Sequence, residues 1–443
     1  MANIAILGAG LRGLYIAFEL EKLGHQCTVF ESSQHIGGAL VSTRHDSGFL
    51  TEDGAHTLLI NSEKVDNLIQ EIEALRNEIV QADSQKLNRF ILRNNQLNPL
   101  QPNPLALLKT PLLSIKAKYQ LFSEIFRKQQ PIDSDLSLYD FFKEHFGAEC
   151  SDYLLDPFIA GTYAGDPKTL SAKHTFPKLV KASESNGSII RSLLSNKNKF
   201  KNKIISFKQG LVQLPIALSQ SLKQAPITET RLIEVTHNKE GWNIQFQVEN
   251  ELPKSQLFNA VYSTIPAHKN HSLPLSELAQ NDLPNFGTLE HPPVSVLSLG
   301  FCSNQLKKPL SGFGYLIPSK EKEDYLGVLF TSSIFKNRAP ENHTLITVFI
   351  GGSRNPGMAS LSESDMISKL YPKIQSCLQI KGDPVFSYTR HWESSIPQYS
   401  MDHDGIIEQI QNFENRNPNF FLSGNYRNGI SLGDCFSDFP QVI

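Results

Sequence analysis

Cysteine is scarce and unpatterned in this chain. Its five residues, Cys27, Cys150, Cys302, Cys377 and Cys435, are odd in number, scattered and without a CxxC pair, which argues against a disulfide framework or a thiolate zinc site. The thirteen histidines include no HExxH or similarly spaced pair, so no metal is predicted. No GxSxG elbow supports nucleophilic hydrolysis. No apolar run approaches the roughly 18 residues of a membrane span. A net charge of −2 gives no general reason to bind nucleic acid. The first motif opens at residue 3 and leaves no room for a signal peptide, so a cytoplasmic location is expected. At 443 residues, 40% of them hydrophobic, the chain can bury two cores and is expected to form two or three domains.

What is present begins with Ile4-Ala5-Ile6-Leu7, a short apolar strand. Gly8-Ala9-Gly10-Leu11-Arg12-Gly13 then turns into a helix predicted over 14–23. Gly8 permits the turn, Gly10 lets backbone approach a pyrophosphate, Gly13 allows close helix–sheet packing, and the helix N-terminus offers unpaired N–H groups to an anion. A second strand, Cys27 to Phe30, ends in Glu31, about where a ribose-binding acid is expected, roughly 20 residues beyond the glycines. Strand, helix, strand and acid together point to dinucleotide binding. Ile36-Gly37-Gly38 and Gly48-Phe49-Leu50-Thr51-Glu52-Asp53-Gly54 follow. With Glu31, they resemble the extended FAD signature of the amine oxidase and protoporphyrinogen oxidase superfamily, which implies FAD rather than NAD.

Beyond Gly54, apolar spacing predicts a helix over 63–79, and Phe90-Ile91-Leu92 reads as one arm of a hairpin closing at Asn94-Asn95. Prolines 99, 102, 104 and 111 then punctuate the chain before helical stretches at 115–127, 138–146 and 151–159. Strands return at Ile204 to Phe207 and around 230–236 and 242–248, and Ala260 to Thr264 reads as a strand of the first domain. Strand-rich sequence from Val294 to Gly352 suggests an antiparallel sheet, and Phe420-Phe421-Leu422 a last strand. The expected fold is α/β. A discontinuous Rossmann-like FAD-binding domain takes 1–90, 200–240, 258–270 and 410–443. An antiparallel-sheet substrate domain takes 90–100, 241–257 and 285–409, and a mostly helical insertion takes 100–199. Leu105 to Phe126 carries apolar residues at helical intervals among lysines, a pattern that suits either peripheral membrane contact or packing within the helical domain. The Asn196 to Lys203 loop, with Lys197, Lys199, Lys201 and Lys203, reads first as solvated and otherwise as a site for anionic lipid or an acidic substrate.

Several separated segments resemble one branch of the superfamily, the oxygen-dependent protoporphyrinogen oxidases. They are the run Asp156-Pro157-Phe158-Ile159-Ala160-Gly161-Thr162-Tyr163-Ala164-Gly165-Asp166-Pro167, continuing through Phe176-Pro177-Lys178-Leu179 to Arg191, then Gln209 to Pro215, Gly312 to Pro318, Ile396 to Tyr399 and Gly424 to Cys435. The resemblance implies that Gly8, Ala9, Gly10, Gly13, Glu31, Gly37 and Gly38 hold the adenosine and pyrophosphate of FAD. It places Leu232 at the adenine, Ala39, Gly54, Ala55 and His56 beside the cofactor, and Gly424, Gly429, Ile430, Ser431 and Leu432 at its ribityl and isoalloxazine portions. Arg89 matches an arginine proposed to meet a propionate, with an exposed hairpin arginine as the alternative. Gly161 matches a carbonyl near the macrocycle, with a helix-ending turn as the alternative. Phe313, Gly314 and Leu316 match pocket wall positions, with plain core as the alternative. The implied reaction oxidises a porphyrinogen to a porphyrin, removing six electrons in three flavin cycles with O2 reduced to hydrogen peroxide. No catalytic acid or base is assigned, because the flavin carries the difficult step.

Ala39 stands where many members place a basic residue, so neutralising the pyrophosphate falls to the helix N-terminus, Arg12 or Arg44. Ala55-His56 replaces a common proline and its neighbour, and Asp404 stands where some relatives have tryptophan. Pro440 limits the last helix and implies a weakly held cofactor. Protoporphyrinogen IX is the leading substrate and coproporphyrinogen III the alternative. The run from Asp156 to Arg191 argues against an amine oxidase or carotenoid desaturase, and a flavin-deficient porphyrin carrier is a reading of a different class. Peripheral membrane contact and a homodimer are expectations from the resemblance alone.

Overall fold

The computed structural model describes residues 1–83, 88–101, 104–129, 136–195 and 202–442. The Lys197, Lys199 and Lys201 loop lies outside them, whereas Lys203 opens a strand and pairs with Asp66 at 2.8 Å.

The nucleotide layer is a four-stranded parallel sheet in the order Phe420–Leu422, Ala260–Ser263, Asn3–Leu7, Gln26–Phe30. Its strands are apolar and buried on both faces, as parallel strands covered on two sides must be. One cover is the Leu11–Lys22 helix. The other is an antiparallel sheet of Thr230–Asn238, Gly241–Val248 and Lys254–Phe258, whose Trp242, Ile244, Phe246 and Phe258 pack on Ala5, Leu7, Phe30 and Val261. The expected assignment of 241–257 to the substrate domain is therefore corrected: both arms of this hairpin belong to the nucleotide layer, because the alternate buried residues of 242–246 find their apolar face there. The His403–Arg416 helix packs in the same cluster and so crosses the boundary expected at 409.

A three-stranded sheet of Leu58–Ile60, Lys203–Phe207 and Ile79–Gln81 flanks this layer. The helix expected over 63–79 is broken: Glu63–Glu71 stops at Ile72, Glu73–Arg76 adds one turn, and Ile79–Gln81 is a strand. Ile72 and Leu75 remain buried through the bend, so the apolar spacing survives while the helix does not.

The third unit is a seven-stranded sheet in the order Phe386–Trp392, Val294–Cys302, His343–Gly351, Gly327–Leu329, Gly314–Leu316, Arg89–Arg93, Gln96–Leu100. The Asn94-Asn95 turn has positive φ at both residues, as a two-residue hairpin requires. The sheet is mixed rather than antiparallel, because Gly314–Leu316 runs parallel to Arg89–Arg93. The Glu363–Leu378 helix covers one face. On the other, Val294, Val296 and Leu326 meet Ala160 and Ala164 of the helical insertion.

That insertion packs Ile115–Ser123, Leu138–Phe146, Asp156–Tyr163 and Pro177–Asn186 around Phe141, Leu138 and Ile159. Among the described residues no helix is long and apolar enough to cross a membrane. At the insertion's centre, the fully buried Glu124 carboxylate meets His145 Nδ1 at 2.9 Å and accepts from Ser188 Oγ and the N–H groups of Ile189 and Ile190. Burial raises its pKa, but these partners hold it below the ordinary glutamate value. Glu124→Ala strands them all and is expected to cost about 3–5 kcal/mol in chemical denaturation, while breaking the exposed Lys254–Glu251 pair costs about 0.5 kcal/mol or less. Because the folded-state pKa is depressed, the Glu124 contribution is complete above about pH 5 and lost as pH falls below about 4.3, so the wild-type excess over Glu124→Ala shrinks there.

Candidate functional site

The usual ligand position in such sheets lies beyond the C-terminal ends of the parallel strands. Gly8, with φ +105°, turns the chain out of the first strand, and a Cβ on Gly13 would lie 2.1 Å from the Gly8 carbonyl oxygen. Gly37 donates to the Ala9 carbonyl at 2.8 Å and bridges to Gly10, and a Cβ on Gly38 would lie 3.3 Å from Gly10 Cα. The two glycine turns thus form one cradle. At Gly10, nothing lies within 4 Å of where a Cβ would point. The Leu11–Lys22 helix begins there without a side-chain cap, which leaves first-turn N–H groups for an anion. Glu31 Oε2 accepts from Ala9 N–H, and Oε1 from Ser33 N–H and Oγ, each at 2.9 Å. The acid is thereby fixed at the strand tip.

Ala39 presents its carbonyl to Gly54, whose Cβ would come within 2.8 Å of it, and Ala55 packs on the nucleotide core. His56 is buried, with Nδ1 on the Gly54 carbonyl at 3.0 Å and Nε2 without a partner among the described residues. Burial pushes it down to about 4, so it is neutral at physiological pH. Leu232 lies at a β-bulge of the Thr230–Asn238 strand.

Arg12 does not face the cradle. Its guanidinium donates to Ser423 Oγ and to the carbonyls of Cys435, Ser437 and Asp438, stitching the last residues onto the helix. Arg44 is taken up by Gln209 and the carbonyls of Gly48 and Lys208. Both guanidinium groups are engaged within the protein, whereas the helix N-terminus at Gly10 carries no side-chain cap. The terminal segment is a single 3-10 turn, Leu432–Phe436, closed by reciprocal Ser431–Asp434 bonds. Gly424 and Gly429 bracket the turn before it. Gly429 N–H donates to Tyr399 Oη, which itself donates to the Asn425 carbonyl. Ile430 packs toward the helical insertion and Leu432 toward the nucleotide core.

The substrate candidates form a wall on the seven-stranded sheet. Arg89 is level with Gly314, and its guanidinium lies 5.0 Å from the Phe313 ring centre with no carboxylate partner among the described residues. Gly314 has φ +138°, and a Cβ there would meet the Val328 carbonyl oxygen at 2.1 Å. Gly161 lies inside the Asp156–Tyr163 helix rather than at its end, and its Cβ would fall 2.4 Å from Leu316 Cδ2. That helix is pinned at both ends. Asp156 pairs with Arg354 at 2.8 Å and accepts from Ser319 N–H, while the Ala164 carbonyl accepts from Ser353 N–H at 2.8 Å.

Sequence reasoning missed the residues that join wall to cradle. Phe349 packs with Ala160 and Ala164 and sets its ring edge-on to His56 at 5.4 Å, and Trp392 Nε1 donates to the Asp53 carbonyl at 2.7 Å. Each is an aromatic within a strand, a pattern that reads as core. Asp404, flagged only as a departure, binds Lys173 and His174 on the outside of the molecule.

Fold and cradle fit a flavoprotein oxidoreductase, and the chain belongs to the flavin-containing amine oxidoreductase family, whose sequence pattern matches residues 12–436. Within it, the chain is 34% identical over 464 residues to protoporphyrinogen oxidase 2 of Arabidopsis thaliana, covering 97% of this chain and 91% of the relative. It is 23% identical to coproporphyrinogen III oxidase of Bacillus subtilis, covering 100% and 97%. A solved structure of a putative protoporphyrinogen oxidase from Exiguobacterium superposes with a TM-score of 0.80 at 20% identity, over 98% and 96% of the two chains. The cofactor is FAD, and the open space at Gly10, the uncapped helix and the unpartnered His56 Nε2 fit it.

Gly10→Val is expected to fold, because the fold leaves room for that side chain, yet to weaken FAD binding by about tenfold or more, since only the cofactor is displaced. Gly13→Val, which collides with backbone, is expected to lose the fold itself. Thermal melts and flavin fluorescence titration separate the two outcomes.

Proposed function

We propose that this protein oxidises protoporphyrinogen IX to protoporphyrin IX in heme biosynthesis, three two-electron steps using three O2 and releasing three H2O2. The observation that carries this reading is the 34% identity to a protoporphyrinogen oxidase along nearly the whole chain. Bound FAD supplies the two-electron acceptor. The protein's own residues orient the macrocycle between the Gly161–Leu316 contact and the cradle, exclude water, and offer Arg89, which meets no carboxylate among the described residues, to a propionate. Coproporphyrinogen III, with four propionates instead of two, is the alternative substrate, favoured by the likeness to the Bacillus subtilis enzyme.

The same reading places the protein in the cytoplasm, as a homodimer held peripherally on the inner face of the cell membrane. In support of membrane contact, the Ile115–Ser123 helix buries Ala117 and Leu121 but leaves Ile115 and Tyr119 exposed, with Phe126 at 82% exposure beyond it and Lys109 and Lys116 alongside. Ile115→Glu with Phe126→Glu is expected to abolish cosedimentation with vesicles containing anionic lipid while leaving the thermal midpoint unchanged. Sedimentation velocity reads the dimer.

The activity test supplies FAD-loaded protein in air with each porphyrinogen, following porphyrin fluorescence against enzyme-free autoxidation. Acceleration with protoporphyrinogen IX supports the reading, a clear preference for coproporphyrinogen III moves the assignment to the alternative, and no acceleration with either overturns both. Arg89→Ala is expected to raise KM roughly 10- to 100-fold, the worth of about 1.5–3 kcal/mol for a charged hydrogen bond, with Arg89→Lys between it and wild type.

A further inference from the structure

Glu52 and Arg338 lie 286 residues apart in sequence and meet out of contact with water, with side-chain exposures of 1% and 0%. Glu52 ends the Leu50–Glu52 strand, two residues before Gly54. Arg338 ends the Lys336–Arg338 turn, which belongs to the substrate side. Arg338 Nη2 reaches Glu52 Oε1 at 3.1 Å and Ser206 Oγ at 2.5 Å, and Nη1 donates to the Phe207 carbonyl at 3.2 Å. Glu52 also accepts from Ser42 Oγ at 2.5 Å and Leu211 N–H at 3.1 Å. Four segments are thereby fixed around one ion pair.

Holding these charges out of water is costly. Burial pushes Glu52 up to about 7 against the pull of Arg338, and pushes the Arg338 guanidinium down. Arg338 Nε has no partner among the described residues. A well-packed apolar pair would hold the same segments together at least as well. What the ion pair adds is direction, and the next residues show where that direction is used. Asp53 is gripped by the Phe386–Trp392 strand, its carboxylate accepting from Tyr388 Oη at 3.0 Å and its carbonyl from Trp392 Nε1. Gly54 and His56 follow at once, against Ala39 and Phe349.

We propose that Glu52 and Arg338 are positioning residues that set the spacing between the cofactor loop at Gly54–His56 and the substrate wall, and so govern the rate of the redox step rather than substrate affinity. Neither touches cofactor or substrate; they act through the loop. The inference rests on the porphyrinogen reading only for its choice of substrate.

The test compares wild type with Glu52→Leu/Arg338→Met, an apolar pair, and with Glu52→Gln, whose one amide oxygen still accepts from Leu211 N–H while its NH2 turns to Ser42 Oγ, and which serves if the double variant is lost. Expected for each folded variant are a changed visible circular dichroism of bound flavin and a fall of about tenfold or more in kcat and in the anaerobic rate of flavin reduction, with a lowered thermal midpoint for Glu52→Gln, which leaves the Arg338 charge buried without its carboxylate. KM should stay within about threefold. Unchanged flavin dichroism and kcat in a folded variant overturn the proposal and leave the pair as packing, as does a rise in KM with kcat intact. Should wild type oxidise neither porphyrinogen, the functional reading fails, and flavin dichroism still decides whether the pair positions the cofactor loop.

Discussion

Parallel pairing is the constraint on which the rest of this molecule depends. Parallel neighbours cannot be joined by a tight turn, so each partner of Asn3–Leu7 must be reached by a crossover. The chain leaves the nucleotide sheet after Phe30 and returns at Ala260, then leaves after Ser263 and returns at Phe420. The substrate sheet and the helical insertion are built inside those two excursions. Because all four strands point the same way, every exit lies at one edge. Gly8 N–H bonds to the Phe30 carbonyl, Thr264 N–H to Leu7, and Ser423 N–H to Ser263, step by step along that edge. The glycine cradle and the turns at Thr264 and Ser423 share that edge for this reason.

The cradle was legible because its chemistry is backbone chemistry, and glycine spacing reports backbone directly. The strands at Ala260 and Phe420 were legible as short apolar runs, and the hairpin at Asn94-Asn95 through residues that tolerate positive φ. Features that depend on a distant partner were not legible. Nothing in Arg89–Arg93 says that it lies parallel to Gly314–Leu316, since either direction buries the same side chains. The break at Ile72 was hidden because the core takes up the same apolar positions on both sides of the bend. Glu52 and Arg338 each look like an ordinary surface charge until the fold removes their water.

Arginines in this chain divide by what they find. Arg12, beside the fingerprint, is drawn to carbonyls of the final segment, where backbone oxygens left over by a single 3-10 turn need donors. The residues that follow this turn are thereby held by a side chain as well as by their own hydrogen bonds. Arg93 satisfies itself on Glu149 at 2.8 Å. Arg89, four residues earlier on the same strand, lies against the face of Phe313. The charge remaining at that end of the strand is set by the absence of a neighbouring carboxylate among the described residues, not by the arginine itself.

The helical insertion enters from Gln96–Leu100, an edge strand of the substrate sheet, and leaves into Lys203–Phe207, the central strand of the sheet flanking the nucleotide layer. Its Asp156–Tyr163 helix is fastened along the way to Arg354, Ser319 and Ser353. Mechanically it is a brace anchored in both bodies, so pulling them apart must also strain the brace. Any shift of one body against the other has to carry that helix with it, and with it Ala160 and Ala164, which lie against Val294, Val296 and Leu326 of the substrate sheet, so a stiff joint is built into the chain's own connectivity.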